Sequence, residues 1–328
     1  MGPTSRKPGR ARGQVLVVFV LSFVALVAAA GVAIDIGRFY SEQRFLQNAA
    51  DAGALAGAKG YAEGTNGCAS AGSSVVANHD TAKMTTCNPK VVDTTHGYVT
   101  VQAEATLDYV FAPIFGQKSK DVTATTTARW GIPQSVAGLR PFGLCIEANQ
   151  QLKDWLAHPV GTSPVDRIPF GKDQPSACGS APGNWGVVDF DGGANSNNDT
   201  KTWTLSGYPG SVSVGDTVSG DTGAFSNSLD AGLSYLEASG GTFALPVFDT
   251  VAQPGANAKM HIVAFVLVKL VGYRVTGNQA ARYLDVIFTN SIVSGSCCAV
   301  GGIDTGARVI RICDVNTLAP DTSDSRAC

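Results

Sequence analysis

Hydrophobic positions change character along this chain. From Val15 to Ile34 they are continuous, with no charge and with Ser22 as the one hydroxyl. At about 1.5 Å per residue the stretch spans roughly 30 Å, the thickness of a bilayer's hydrocarbon core. Most of it is Val, Leu, Phe or Ile, so insertion is favourable by on the order of 4–8 kcal/mol. A buried helix of a soluble domain seldom runs this long without a polar face. Helical patterning then continues to about Ala62, so 15–62 reads as a transmembrane helix prolonged into a stem, with glycines at 60, 64 and 67 ending it. Ala28-Ala29-Ala30 before Gly31 satisfies the small-residue rule for signal cleavage. A cut there would bisect the helix, and a retained anchor is expected.

Beyond the stem the pattern turns β-like. A short helix is expected over about 70–83. Val99 to Val110 alternates, with Val99, Val101, Ala103, Ala105, Leu107 and Tyr109 on one face, and Val122 to Trp130 alternates again. These are half-buried strands and natural antiparallel neighbours. Phe111 to Gly116 between them reads as a turn or short helical knob. Gly131 to Pro141 reads as a linker. After it, Ala148–His158 and Ser228–Ala238 suggest helices, the latter through Leu229, Leu233 and Leu236. The region 159–225 is rich in Gly, Pro, Asn, Asp and Ser, with short strands at Val187–Phe190 and Val212–Val218. Met260–Leu270 is apolar on both faces and suits a central strand. Tyr283–Thr289 and Arg308–Cys313 are further strands. The expected fold class is α+β: a long N-terminal transmembrane helix extended as a stem, then a β-rich, mostly antiparallel extracytoplasmic region with a few short helices. The expected segments are 1–14 as a basic cytoplasmic tail, 15–62, an α+β region over 63–135, and a β-rich domain over 141–328.

Charge sets the orientation. Arg6, Lys7, Arg10 and Arg12 precede the apolar run without an acid among them, whereas Asp35, Arg38, Glu42 and Arg44 after it nearly cancel. The positive side stays in the cytoplasm, which puts the bulk of the chain outside, anchored by a single span in the cell membrane. Only 15% of residues are charged and the net charge is −2, so the outer part is mildly acidic. Such a surface argues against nucleic acid as a partner.

All 8 cysteines follow the anchor: Cys68, Cys87, Cys145, Cys178, Cys297, Cys298, Cys313 and Cys328. An even count on an oxidising side suggests disulfides. Cys68 and Cys87 flank the short helix and have no close competitors. Cys313 could reach Cys297 or Cys298 across a hairpin, and the adjacent pair is expected to bond to two different partners. Small residues recur every fourth position at Ala29, Ala33, Gly37, Ser41, Ala49, Gly53 and Gly57, with Phe45 interrupting. Such rows let helix backbones approach in a membrane, so Ala29, Ala33, Gly37, Gly53 and Gly57 are candidate helix-packing positions.

Arg12-Gly13-Gln14, the apolar run, Ala33-Ile-Asp35-Ile-Gly37-Arg38 and Leu46-Gln-Asn-Ala-Ala-Asp51-Ala-Gly-Ala-Leu-Ala-Gly-Ala58 together resemble the N-terminal module of the Flp pilus-assembly TadE/TadG-like family. Val110-Phe-Ala-Pro-Ile-Phe-Gly116 with Val122-Thr-Ala-Thr-Thr-Thr-Ala128, and Gly183-Asn-Trp-Gly186-Val-Val-Asp189-Phe-Asp191-Gly-Gly193, are similar to outer segments of such proteins. The resemblance implies a non-catalytic, membrane-anchored accessory of a pilus-assembly or secretion machine. Its partners would be platform proteins or pilin subunits. Pilin-like members carry a glutamate five residues after the processing glycine. Here Val18 stands at that place, against pilin-type processing. Asp321-Thr-Ser323-Asp-Ser325 formally matches a von Willebrand type A metal motif and is read as a polar tail.

Catalytic signatures are missing from the sequence. No Gly-x-Ser-x-Gly, His-Glu-x-x-His or phosphate-binding loop occurs, and the 4 histidines are scattered. No catalytic residue and no cofactor is expected. The one metal candidate is a calcium-like turn with Asp189, Asp191 and Asn195 as oxygen donors, to be weighed against an ordinary Asx-rich surface turn. Asp35 reads either as a solvated carboxylate paired with Arg38 or as a group set against a partner's helix. The leading reading is the pilus accessory. The alternatives are an anchored adhesin or ligand-binding protein sharing only the anchor, and, further off, an anchored hydrolase.

Overall fold

The computed structural model describes residues 12–313 except 94, 171–177, 179–185, 193–195, 221–224, 254–257, 279–280 and 300. Helix α1 (Arg12–Ala62) runs 51 residues without a break, about 75 Å at the usual rise. Its first half is exposed on every side, from Val15 to Val27. A soluble core helix of that composition would be covered. The second half behaves differently: Leu46, Ala49, Ala50, Ala54 and Ala58 are fully buried at helical spacing. Gly64, in the left-handed region with φ 74°, ends the helical run.

Those buried residues pack on a sheet. Helix α2 (Gly67–Asn78) follows, starting a little earlier than expected because the Asn66 side chain caps it by accepting the Ala69 N–H at 3.2 Å. Strands β1 (Lys83–Val91), β2 (Gly97–Asp108) and β3 (Ser119–Gly131) form an antiparallel meander. The expected inward face of β2 is buried at Val99, Val101, Ala103, Ala105 and Leu107. A disulfide between Cys68 and Cys87 pins α2 to β1. Gly53 and Gly57 correct the sequence expectation. A Cβ on Gly53 would stand 2.6 Å from Val75 Cγ2, and one on Gly57 would stand 3.3 Å from Ala71 Cβ and from Val99 Cγ1. These glycines let α1 approach α2 and the sheet within this chain, where the row of small residues had suggested contacts between membrane helices.

The stretch read as a linker is also structured. Strand β4 (Pro133–Ala137) pairs with β8 (Ser211–Ser213) and β14 (Gly295–Cys297), and Val136 and Leu139 are fully buried. The second lobe is built on β10 (Thr242–Ala252), β11 (Lys259–Arg274), β12 (Tyr283–Thr289) and β6 (Thr162–Pro169), all antiparallel, with β5 (Leu144–Cys145) parallel on the edge of β10. Strands β7 (Val188–Asp189) and β9 (Thr217–Gly220) extend this sheet at the end of β11. Ala264, Val266, Val268 and Leu270 of β11 enter one core with α3 (Gln150–Ala157) and α5 (Asp230–Ser239), while Phe265 and Leu267 enter a second core with Val136, Leu139 and Phe248. Helix α4 (Ser196–Ser206) lies beside α5.

The chain then returns to the first lobe. Strand β15 (Ala307–Ile312) pairs antiparallel with β3, Ile310 opposite Trp130, and β13 (Ser291–Ile292) adds in parallel. The sheet nearest the anchor is therefore completed by the far end of the described chain.

Cysteine pairing departs from expectation as well. Cys145 bonds Cys178. Cys297 and Cys298 bond each other, and Cys313 is disulfide-bonded to neither. The reason is register on β3. The Cys313 N–H donates to Thr127 O, whereas Cys298 packs on Gly131. Four residues of strand separate those places by about 13 Å, beyond the roughly 7 Å Cα separation a disulfide can bridge. Cys328 lies outside the described residues.

If Gly53 and Gly57 serve packing within the chain, Gly53→Val overfills the space before Val75 and Val101. It should destabilise the protein by about 1–3 kcal/mol. Gly37, where a Cβ would meet nothing within 4 Å, should accept Val with little change. Thermal unfolding of both full-length variants in micelles checks this; equal losses would contradict it.

Candidate functional site at the junction of helix and sheet

Asp35 is the first charge after the apolar run, and the sequence offered either a solvated carboxylate paired with Arg38 or a group set against a partner's helix. Within the chain it is buried and holds a turn. Between β2 and β3 the chain turns through Val110 to Gly116, and Ala112–Phe115 forms a single 3₁₀ turn. Asp35 accepts three successive backbone N–H groups of that turn. Oδ1 takes Val110 N at 2.8 Å, and Oδ2 takes Phe111 N at 3.0 Å and Ala112 N at 2.7 Å. The carboxylate does from across the fold what a local capping side chain does for a helix start. It is buried by the turn it holds.

The sequence builds this turn from simple parts. Pro113 supplies a fixed φ and lacks an N–H that would otherwise need a partner. Gly116 closes the turn in the left-handed region at φ 88°, where its N–H reaches Pro113 O at 3.0 Å. One turn below Asp35 on the helix, Gly31 is buried beneath Phe111: a Cβ there would lie 2.8 Å from the Phe111 ring. Above Asp35, Arg38 Nη1 donates to Asp108 O at 2.9 Å, and Lys120 Nζ stands 5.1 Å from the Phe39 ring centroid. Gly31, Asp35 and Arg38 thus form one strip of α1 that receives the β2–β3 loop. Sequence reasoning missed Gly31. Its signal was there, since a glycine inside a helix costs about 1 kcal/mol against alanine and invites a packing reason.

Between this loop and α1 opens a groove of about 860 Å³, walled by Phe23, Val27, Val32, Phe111, Ile114 and Phe115. Asp35, Gln117, Ser119, Lys120 and the Tyr109 phenol are its polar side chains, and the carboxylate is already committed to three donors. Such a surface holds apolar matter. A second cavity of about 240 Å³ lies in the other lobe beside Asn149, Asp166 and the Cys145–Cys178 disulfide. There the buried Asp166 carboxyl is pushed up by loss of solvent, against a hydrogen bond from Asn149 Nδ2 at 2.6 Å.

The other sequence candidates separate. Ala29, Ala33 and Gly37 lie exposed on α1, beside the positions that the β2–β3 loop covers. Asp189 is buried at the end of β7 and Asp191 is exposed two residues on; Asn195, Gly183-Asn-Trp185, Gly193 and Asp321–Ser325 lie outside the described residues. Among the described residues no three His, Cys, Asp or Glu side chains converge. Burial, with hydrogen bonding to and repulsion from Asp191, pushes the Asp189 carboxyl up to about 6, although the Gly192 N–H pulls the other way. The histidines stay apart: His79 meets Glu42 at 2.9 Å, linking α2 to α1, and His96 meets Asp93 at 3.2 Å and Ala299 O at 3.0 Å.

Among the described residues one helix, α1, is long and apolar enough to cross a membrane, and its exposed apolar half continues into a packed stem, as in a membrane-anchored protein. Residues 13–60 match the family described as Putative Flp pilus-assembly TadE/G-like. The anchor and stem are thus similar to a TadE/G-like module, and the matched segment includes Gly31, Asp35 and Arg38. Neither a curated protein nor a solved structure matches the chain.

Two outcomes follow from this geometry. Asp35→Ala leaves three donors without their acceptor and should destabilise the first lobe by about 2–4 kcal/mol. Hydrogen exchange on the full chain in micelles should show faster exchange at the amides of 110–112, with β10–β12 unchanged; unchanged exchange at 110–112 would contradict the assignment. The Asp189 carboxyl, raised above its unfolded value near 3.8, keeps its proton in the folded state across the window from about pH 4 to 6. Its contribution is therefore most favourable below pH 4 and is lost as pH rises through 6. Asp189→Asn should gain stability relative to the parent at pH 7 and lose that advantage at pH 4, as read by melting temperature.

Proposed function

We propose that this protein is a non-catalytic accessory of a Flp/Tad-type pilus-assembly or secretion system, anchored by α1 with its amino terminus in the cytoplasm and its lobes outside. One observation carries the reading: the segment that matches the TadE/G-like family is also the structural spine of the first lobe. Its apolar half is free to meet other helices in the membrane through the open positions Ala29, Ala33 and Gly37. Its inner half holds the sheet rigidly above them. Contacts made in the membrane and contacts made outside are then coupled through one helix, which suits a part that links platform proteins to pilin subunits. The basic residues before Val15 support the orientation. The disulfides support an oxidising side for the lobes.

Deletion of the gene should abolish or strongly reduce surface pili while pilin is still made, and the full chain supplied in trans should restore them. Affinity purification of the tagged full chain from membranes should co-isolate platform proteins or pilin. Normal pilus numbers after deletion would overturn the reading and leave an anchored adhesin as the alternative.

A further inference from the structure

We infer that the loop from Val110 to Gly116 is a second membrane contact, an apolar knob seated in the leaflet nearest the lobes beside α1. The proposal rests on α1 spanning the bilayer, and several independent features of the knob support it.

The first is depth. Phe111 sits on Gly31, which precedes the end of the apolar run at Ile34 by about one turn, or roughly 5 Å. The groove that Ile114 and Phe115 share with the helix reaches down to Phe23, roughly 16 Å below Ile34. A helix placed with Val15–Ile34 in hydrocarbon therefore carries the knob into the boundary with it. Segments that lie in an interface bury their apolar faces by about 5–10 Å.

The second is exposure without charge. Ile114 and Phe115 are 78% and 70% exposed, among the most exposed large apolar side chains of the described lobes, and Val110 is exposed beside them. No charge occurs from Tyr109 to Gln117, while Asp108 and Lys118 bound the segment and Lys120 follows. Lysines just above an apolar wedge can extend to the headgroup level.

The third is the backbone. Irregular chain in hydrocarbon is costly unless its polar groups are satisfied internally. Here Val110, Phe111 and Ala112 donate to Asp35, Pro113 has no N–H, and Ile114, Gly116 and Gln117 donate to Phe111 O, Pro113 O and Ala112 O. Internal partners for these N–H groups lower the cost of carrying the loop into lipid. The same contacts explain how a carboxylate can stand next to the apolar run, since its charge is matched by three donors.

The test uses the full chain reconstituted at low density in phosphatidylcholine vesicles, with and without bromine midway along the acyl chains. Phe115→Trp is conservative at an exposed site, and Leu21→Trp reports the anchor; each is read as the difference from the parent's own tryptophan emission. The proposal expects the added indole at 115 to emit at short wavelength, to lose most of its intensity in brominated vesicles and to resist aqueous iodide. Quenching at 21 but not at 115, with iodide reaching 115, would overturn the knob while leaving the anchor standing. Resistance at 115 to both quenchers would mean that protein covers the knob, and would also overturn the proposal. Loss of lipid quenching at both positions would instead overturn the anchor on which the proposal rests.

Discussion

Three backbone N–H groups on one carboxylate join the two halves of this molecule. Without Asp35, the long helix and the sheet would still share the buried alanines farther along α1. The β2–β3 loop, however, would lose the hydrogen bonds that hold its backbone to the helix. Hydrogen bonds to a charged acceptor are the stronger kind, about 1.5–3 kcal/mol each net of competition with water. The contact is also directional: successive donors at 110, 111 and 112 fit only one pose of the turn. Gly31 supplies the complementary steric condition, because any side chain there would displace Phe111. Charge and space thus specify the same docking from two positions one turn apart.

From this joint the rest of the architecture follows. The helix leaves the apolar run and is immediately a structural element of the first lobe, with no hinge between. Small residues at 49, 50, 53, 54, 57 and 58 draw it against α2 and β2, so that anchor and stem are one rod. The sheet on that rod ends with β15, supplied by the far end of the described chain, and β4 begins the second lobe directly where β3 ends. The second lobe is therefore tied to the rod by strand pairing on top of a covalent connection. The helix thus connects to both lobes through the paired strands β3 and β15.

Much of this was legible in the amino-acid pattern, and the failures have definite causes. The anchor, the stem, the alternating β2 and β3 and the helix at Leu229–Leu236 follow from periodicity, and the central β11 from a long run apolar on both faces. Strand β10 does not, because Phe243 to Phe248 is buried on both faces and carries no period of two, and Pro246 argues locally against a strand. Strands β4 and β6 sit among residues whose composition reads as loop. Gly53 and Gly57 fit a membrane-packing pattern and a soluble-packing pattern equally well, since both need close backbones. The fold partner that decides between them, Val75, lies on another element. The site was half visible. Asp35 stood out as a charge beside a membrane and the 110–116 knob stood out as an uncharged turn, but nothing local links positions 75 residues apart. Pairing of Cys297 with Cys298 was hidden for the same reason, because the register of β15 on β3 carries Cys313 out of reach.

The central claim is that the loop is docked on the helix through the strip at Gly31 and Asp35. A double-mutant cycle on the full chain in micelles tests it most directly, with stability measured for Gly31→Val, Phe111→Ala and the pair. Docking predicts that Phe111→Ala removes most of the loss caused by Gly31→Val, a coupling of about 1–3 kcal/mol. Strict additivity of the two losses would contradict it.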